Sequence, residues 1–211
     1  MHRNLRSVFL AAALTVALGS IWQPSFAATN LRGTITAVNG NTLEIKRKSG
    51  DDVRVRLADN LAVAVVDKAS PEDIKPGTFI GTAAAPSADG GLQALEVHIF
   101  PESMRGTGEG NRNWDLAPKS SMTNGAVKSA PNALTSKVDA VKGNKITVEY
   151  AGGSKDVAIT PQTKVVKLAP GSRDQLKPNA EVFIPGATPQ SDGTMEAKRI
   201  TVGKDGVAPP M

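Results

Sequence analysis

The densest gathering of chemically capable side chains lies in one glycine-rich stretch near the middle of the chain. Glu102, Arg105, Glu109, Arg112, Trp114 and Asp115 put acids, guanidinium groups and an indole on one short segment. Such a set suits binding of a charged or flat partner, because functional residues concentrate on ordered loops held by rigid scaffolds. It also suits a structural bridge, since an indole on a loop commonly anchors packing. A second candidate is a basic face. Strand alternation places Leu43, Ile45, Val53, Val55 and Leu57 inward, and so turns Lys46, Lys48, Arg54 and Arg56 outward together, with Arg47 nearby. That face could meet a phosphate-rich envelope polymer or the acidic surface of a partner protein. Charge at that place also serves to guard a sheet edge against pairing.

Metal and catalytic chemistry find less support. His98 follows Val97 and precedes Ile99, so alternation points it outward from its strand, with Glu96 and Glu102 as the nearest acids in sequence. One histidine without a second histidine or a cysteine is a weak transition-metal set. No cofactor and no bound metal are therefore expected, with His98 as the one weak candidate. Gly106-Thr107-Gly108-Glu109-Gly110 is rich in glycine but lacks the strand-to-helix context of a phosphate cradle. No nucleophile, base and acid stand at telling spacings, and the expectation is a non-enzyme. The chain has no cysteine, which removes disulfides, thiolate catalysis and cysteine-bound metals.

The elements that must carry these residues come in two copies. Residues 31–103 and 134–204 pass through the same events in the same order. Ile35 and Val38 lead to Asn39-Gly40 and on to Leu43 and Ile45. Val138 and Val141 lead to Gly143-Asn144 and on to Ile146 and Val148. A Gly/Asn pair between alternating strands marks a tight hairpin, which needs positive φ. A second hairpin follows in each copy, then a short strand, Val63–Val66 or Val165–Leu168. Ser70-Pro71-Glu72-Asp73-Ile74 and Ser172-Arg173-Asp174-Gln175-Leu176 then read as one capped helical turn each. Proline two residues on, at Pro76 and Pro178, stops the turn. Ile74 and Leu176 are left as apolar plugs. Two more strands finish each copy. The expected fold class is all-β: two tandem small OB-like β-barrels, each with one short capped helical turn. A two-layer sandwich is the alternative. Residues 104–133 form a connecting strap that carries Trp114 and packs between or over the modules, and residues 205–211 form a tail expected to fray.

Composition supports a sheet core. Apolar residues make up 40% and aromatics only 4%, so β-branched and aliphatic side chains must fill the interior. Residues 1–27 read as a signal peptide: a basic start at His2, Arg3 and Arg6, an apolar run from Val8 to Trp22, and small residues before a cut after Ala27. The run is too short to span a bilayer as a helix, and no later segment is long and apolar enough. Periplasmic or secreted localisation and a monomer follow as expectations. Without Arg3 and Arg6, 23 basic residues face 20 acidic ones, too even a balance to attract nucleic acid. Exposed aromatics on a basic groove, which OB barrels use for single strands, are also missing from the pattern. The partner expected is an envelope protein or an anionic polymer.

Two stretches are distinctive: Leu95–Glu102 running into Met104–Gly110 and Trp114-Asp115-Leu116, and the ending Val202–Met211. With them, nearly all the chain after residue 27 resembles a family of exported proteobacterial proteins built from tandem secreted OB-like domains of unknown function. Members often carry the label of a metal ABC transporter permease. The resemblance implies export and an OB-like fold, and no established activity or site residues. A permease label conflicts with the lack of any long apolar segment after the leader. Three functions remain in view: a binding or scaffolding protein, a soluble accessory of metal uptake or homeostasis, and, least supported, an enzyme acting on envelope polymers.

Overall fold

A computed structural model describes residues 27–130 and 144–210. The leader expected over residues 1–27, apart from Ala27, and the strand expected around Val138 and Val141 lie outside the described residues. No helix among the described residues is long and apolar enough to cross a membrane. The fold is all-β. Its strands are β1 (Thr29–Asn39), β2 (Thr42–Arg47), β3 (Asp52–Lys68), β4 (Phe79–Pro86), β5 (Leu92–Ile99), β6 (Gly110–Asn113), β7 (Ser121–Ser129), β8 (Asn144–Tyr150), β9 (Gly153–Ile159), β10 (Lys164–Pro170), β11 (Glu181–Pro189) and β12 (Met195–Gly203). Single 3-10 turns cover Pro71–Asp73, Glu102–Met104 and Arg173–Gln175.

Five strands close a barrel. β1 pairs with β2, β2 with β3, β3 with β12 in parallel, β12 with β11, and β11 with β1. Alternation along β1 to β3 buries Leu31, Ile35, Leu43, Ile45, Val55 and Leu57 inside it, against Ile184, Ile200 and Val202. A second ring runs β7, β8, β9, then β5 and β4 and back to β7. Its β9–β5 closure is one parallel bridge, Gln93 to Ala158, which β10 extends along Lys164–Lys167. Ile80, Val97, Ile146, Val148, Val157 and Ile159 fill it.

This pairing corrects the expectation of two modules in series, 31–103 and 134–204, each closing on itself. β4 and β5, from residues 31–103, complete the second ring. β11 and β12, from residues 134–204, complete the first. The physical reason is that alternation fixes which face of a strand is apolar, not which copy of a duplicated strand lies beside it. The capped turns sit on the two crossings. In each, the N–H of the capping serine is bonded by the return side chain: Ser70 N–H donates to Asp73 Oδ2 at 3.0 Å, and Ser172 N–H to Gln175 Oε1 at 2.8 Å. Ile74 then plugs the second ring and Leu176 the first.

The rings meet where β3 and β10 run antiparallel, with Val66 opposite its own repeat counterpart Leu168. Val66, Val166, Leu168 and Phe183 form a third apolar cluster there. β3 is one continuous strand that runs from the first ring to the junction with β10, where two short strands were expected. Its counterpart is broken into β9 and β10 around Pro161, which has no N–H for a ladder.

The strap also proves to be part of a ring. β7 takes the place in the second ring that β1 holds in the first. Gly33 and Gly125 mark the match: a Cβ on Gly33 would collide with the carbonyl oxygen of Lys46, and one on Gly125 with that of Glu149. The tail does not fray over its described part. Lys204 N–H bonds Val66 O, Val207 packs on the third cluster, and Pro209 is buried.

Candidate functional site

β5 turns Glu96 and His98 to the outer face of the second ring. Outward was expected to mean solvent, but Glu96 is 0% and His98 2% exposed. The cause is the segment after Phe100. It folds back through the Glu102–Met104 turn, brings Phe100 against Gly81 and Thr107 against Asn124, and so roofs this face before β6 pairs beside β7. Beneath the roof, His98 Nε2 and Glu96 Oε1 lie 2.8 Å apart, while Glu96 Oε2 has no partner. Between β5 and β7 the floor is Gly81, opposite both His98 and Asn124. A Cβ there would stand 2.7 Å from Asn124 Oδ1 and 3.1 Å from His98 Nδ1, so only glycine permits this approach. Asn124 Nδ2 donates to Thr107 O at 2.9 Å, which fixes the orientation of its amide.

The outer face of the first ring stands opposite. Between the two lies a cleft of about 520 Å3. Its walls are apolar, from Ala64, Phe100, Met122, Leu168, Phe183 and Ile200, with Trp114 among them. Trp114 meets the Phe183 ring edge-on at 6.1 Å, and its Nε1 has no partner. His98, Asn124 and Thr201 supply polar groups. Arg112, Arg199 and Glu109 are exposed residues that also line the cleft. Arg112 is held by a hydrogen bond from Nη1 to Gly108 O at 2.8 Å and by its guanidinium over the Trp114 ring at 5.6 Å. Although much of its length is open, protein around its head depresses its pKa by desolvation, and the charge of Arg199 pushes the same way. Glu109 accepts from Ala151 N–H at 2.9 Å.

The six strap residues therefore divide. Glu109, Arg112 and Trp114 come together on the cleft. Glu102 and Arg105 pair with each other, and Arg105 Nη2 also donates to Gly77 O at 2.8 Å. Asp115 takes a two-pronged bond from Arg32 at 2.7 and 3.0 Å, which holds its carboxyl below the ordinary aspartate value. Arg32 in turn lies over the Phe183 ring at 4.9 Å. The basic face is exposed where alternation puts it, but acids are interleaved with it. Glu44 stands across from Arg54, Asp52 across from Lys46 at 3.7 Å, and Arg47 bonds Asp51. β2 and β3 are paired on both sides, so this charge does not guard an edge.

His98 and Glu96 form a pair. Among the described residues, no three histidine, cysteine or acidic side chains gather in a group able to hold a metal ion. Reading the sequence missed Asn124, Arg199, Thr201, Phe100 and Phe183 as cleft residues. One signal was available: in the repeat expected from the sequence, Thr201 falls at the place of His98, and Arg199 at that of Glu96. At these outward positions the copies differ in charge, whereas their inward positions match. Comparison of the chain with family models, with curated proteins and with solved structures finds no match.

Proposed function

We propose that the chain is an exported, non-catalytic binding protein made of two OB-like barrels interlocked by strand exchange, with a ligand site in the cleft between them. The OB-like reading is supported by strand order. In the first ring the sequence of strands around the barrel is β1, β2, β3, β12, β11, with one parallel contact and one helical turn before the last two strands, as in a five-stranded Greek-key barrel. Export rests on the leader pattern of residues 1–27. The observation that carries the binding function is the cleft itself. Its volume, about 520 Å3, lies in the range of small-molecule sites, and it pairs apolar and aromatic walls with a few polar groups.

The test is a fragment screen by amide chemical shifts on the purified exported protein, run beside Ala64→Trp, whose indole would fill the cleft. Shifts that cluster at Phe100, Trp114 and Thr201 and vanish in the variant are expected. Shifts scattered over the surface, or unchanged in Ala64→Trp, would overturn the reading.

A further inference from the structure

Two arginines line the cleft, and the charge of one, Arg199, is felt by the other, Arg112. Arg112 comes from β6 and Arg199 from β12, elements far apart in the chain. Among the described residues neither forms an ion pair with an acid, although Arg32, Lys128, Lys167 and Lys204 all do. Glu109, an acid that lines the same cleft, accepts from the N–H of Ala151 and is bridged to neither arginine, so the charged lining is two arginines against one carboxylate. Two like charges held near each other raise the energy of the empty site. That cost is relieved by an anion placed between them. The planar guanidinium fork favours an oxyanion in particular. Much of the remaining lining is apolar, with Phe100, Trp114, Leu168 and Phe183. The cleft is thus cationic in its charged lining and oily elsewhere. That profile matches a molecule with one charged end and an apolar body, and not a free inorganic ion.

From this, and resting on the binding reading above, we infer that the cleft takes a small amphipathic oxyanion, an alkyl or aryl carboxylate or phosphate, with its head between Arg112 and Arg199 and its body against Trp114 and Phe183. The arrangement also narrows the partner class anticipated from the basic face. The selective cations are these two, while those of β2 and β3 are interleaved with acids.

Isothermal titration of the exported protein below micellar concentrations tests it. The probes are decanoate, decyl phosphate, decanol, decyltrimethylammonium, acetate and inorganic phosphate. At least one of the two anionic amphipaths binds with one-to-one stoichiometry, and comparing them assigns the head as carboxylate or phosphate. Decanol and the two head groups alone bind about tenfold more weakly or worse, and decyltrimethylammonium does not bind. Arg112→Gln and Arg199→Gln each weaken the anion by about tenfold or more while leaving decanol unchanged. Circular dichroism confirms that both variants are folded. Decanol binding as tightly as the anions, or arginine variants without effect, overturns the oxyanion assignment and leaves the binding reading standing. Silence from every amphipath while fragments still map to the cleft overturns the amphipath alone. Silence from both overturns both.

Discussion

At the residue scale, Glu96 and His98 form a pair that the fold encloses almost completely. A carboxylate that is fully enclosed, with one oxygen bonded and the other bare, depends on its single partner. Removing His98 therefore leaves both oxygens of a fully buried carboxyl group without a partner, whereas replacing Glu96 by glutamine keeps an acceptor for His98. His98→Ala, which also empties the space of a buried ring, is expected to lose about 3 kcal/mol in urea denaturation, and Glu96→Gln about 1 kcal/mol. The opposite order would show that the carboxylate does not rely on the imidazole. Asp115 makes a separate prediction in acid. Its folded pKa lies below the ordinary 3.8 because of its bonds from Arg32. The stabilisation is fully present above the ordinary value and is lost as pH falls through the depressed one. Stability measured from about pH 6 to about pH 2 should thus fall less steeply in Asp115→Asn. Asp67, bonded by Lys204, and Asp73, bonded by the Ser70 N–H, shift the same way, so the variant retains part of the slope. An unchanged slope would remove Asp115 from the acid response.

At the scale of elements, the capped turns show what was legible in the chain and what was not. Ser70 to Ile74 and Ser172 to Leu176 could be read as turns with an apolar plug because the capping residues are local. The hairpin at Asn39-Gly40 was legible for the same reason, and Gly40 has the positive φ of 59° that the turn demands. The destination of each plug is a matter of long-range pairing, and neither capping nor alternation encodes it. β7 was overlooked on different grounds. Its residues, SMTNGAVKS, carry one β-branched valine and one threonine, so its propensity for a strand is low. It holds its place through neighbours on both sides and through Gly125, where backbone replaces side chain. The cleft was illegible because its walls come from strands brought together only by the exchange. Gly125→Ala is expected to weaken the β7–β8 contact, and Gly33→Ala the matching β1–β2 contact. Both should lower the thermal midpoint, with faster amide exchange first in the affected pair. Faster exchange confined to the opposite ring would contradict the match between β1 and β7.

At the scale of the whole molecule, exchange ties the two rings into one unit. The first ring needs β11 and β12, which follow β8 and β9 of the second ring in the chain. The second ring needs β4 and β5 from residues 31–103. Neither ring takes all five of its strands from one of the two segments 31–103 and 134–204, so partial unfolding of one ring disturbs strands or a plug continuous with the other. Beads on a string would instead melt independently. The consequence is a single cooperative transition. Ile74→Ala opens a cavity in the second ring and Leu176→Ala one in the first, each costing about 2–5 kcal/mol. Each kcal/mol should lower the midpoint by about 2–4 °C for a chain of this size. Both variants should shift one shared transition, seen alike by Trp114 fluorescence, which reports the junction, and by far-ultraviolet dichroism, which reports all the strands. Two separated transitions, with each substitution moving only one of them, would mean that the rings are independent and that the strand exchange does not couple them.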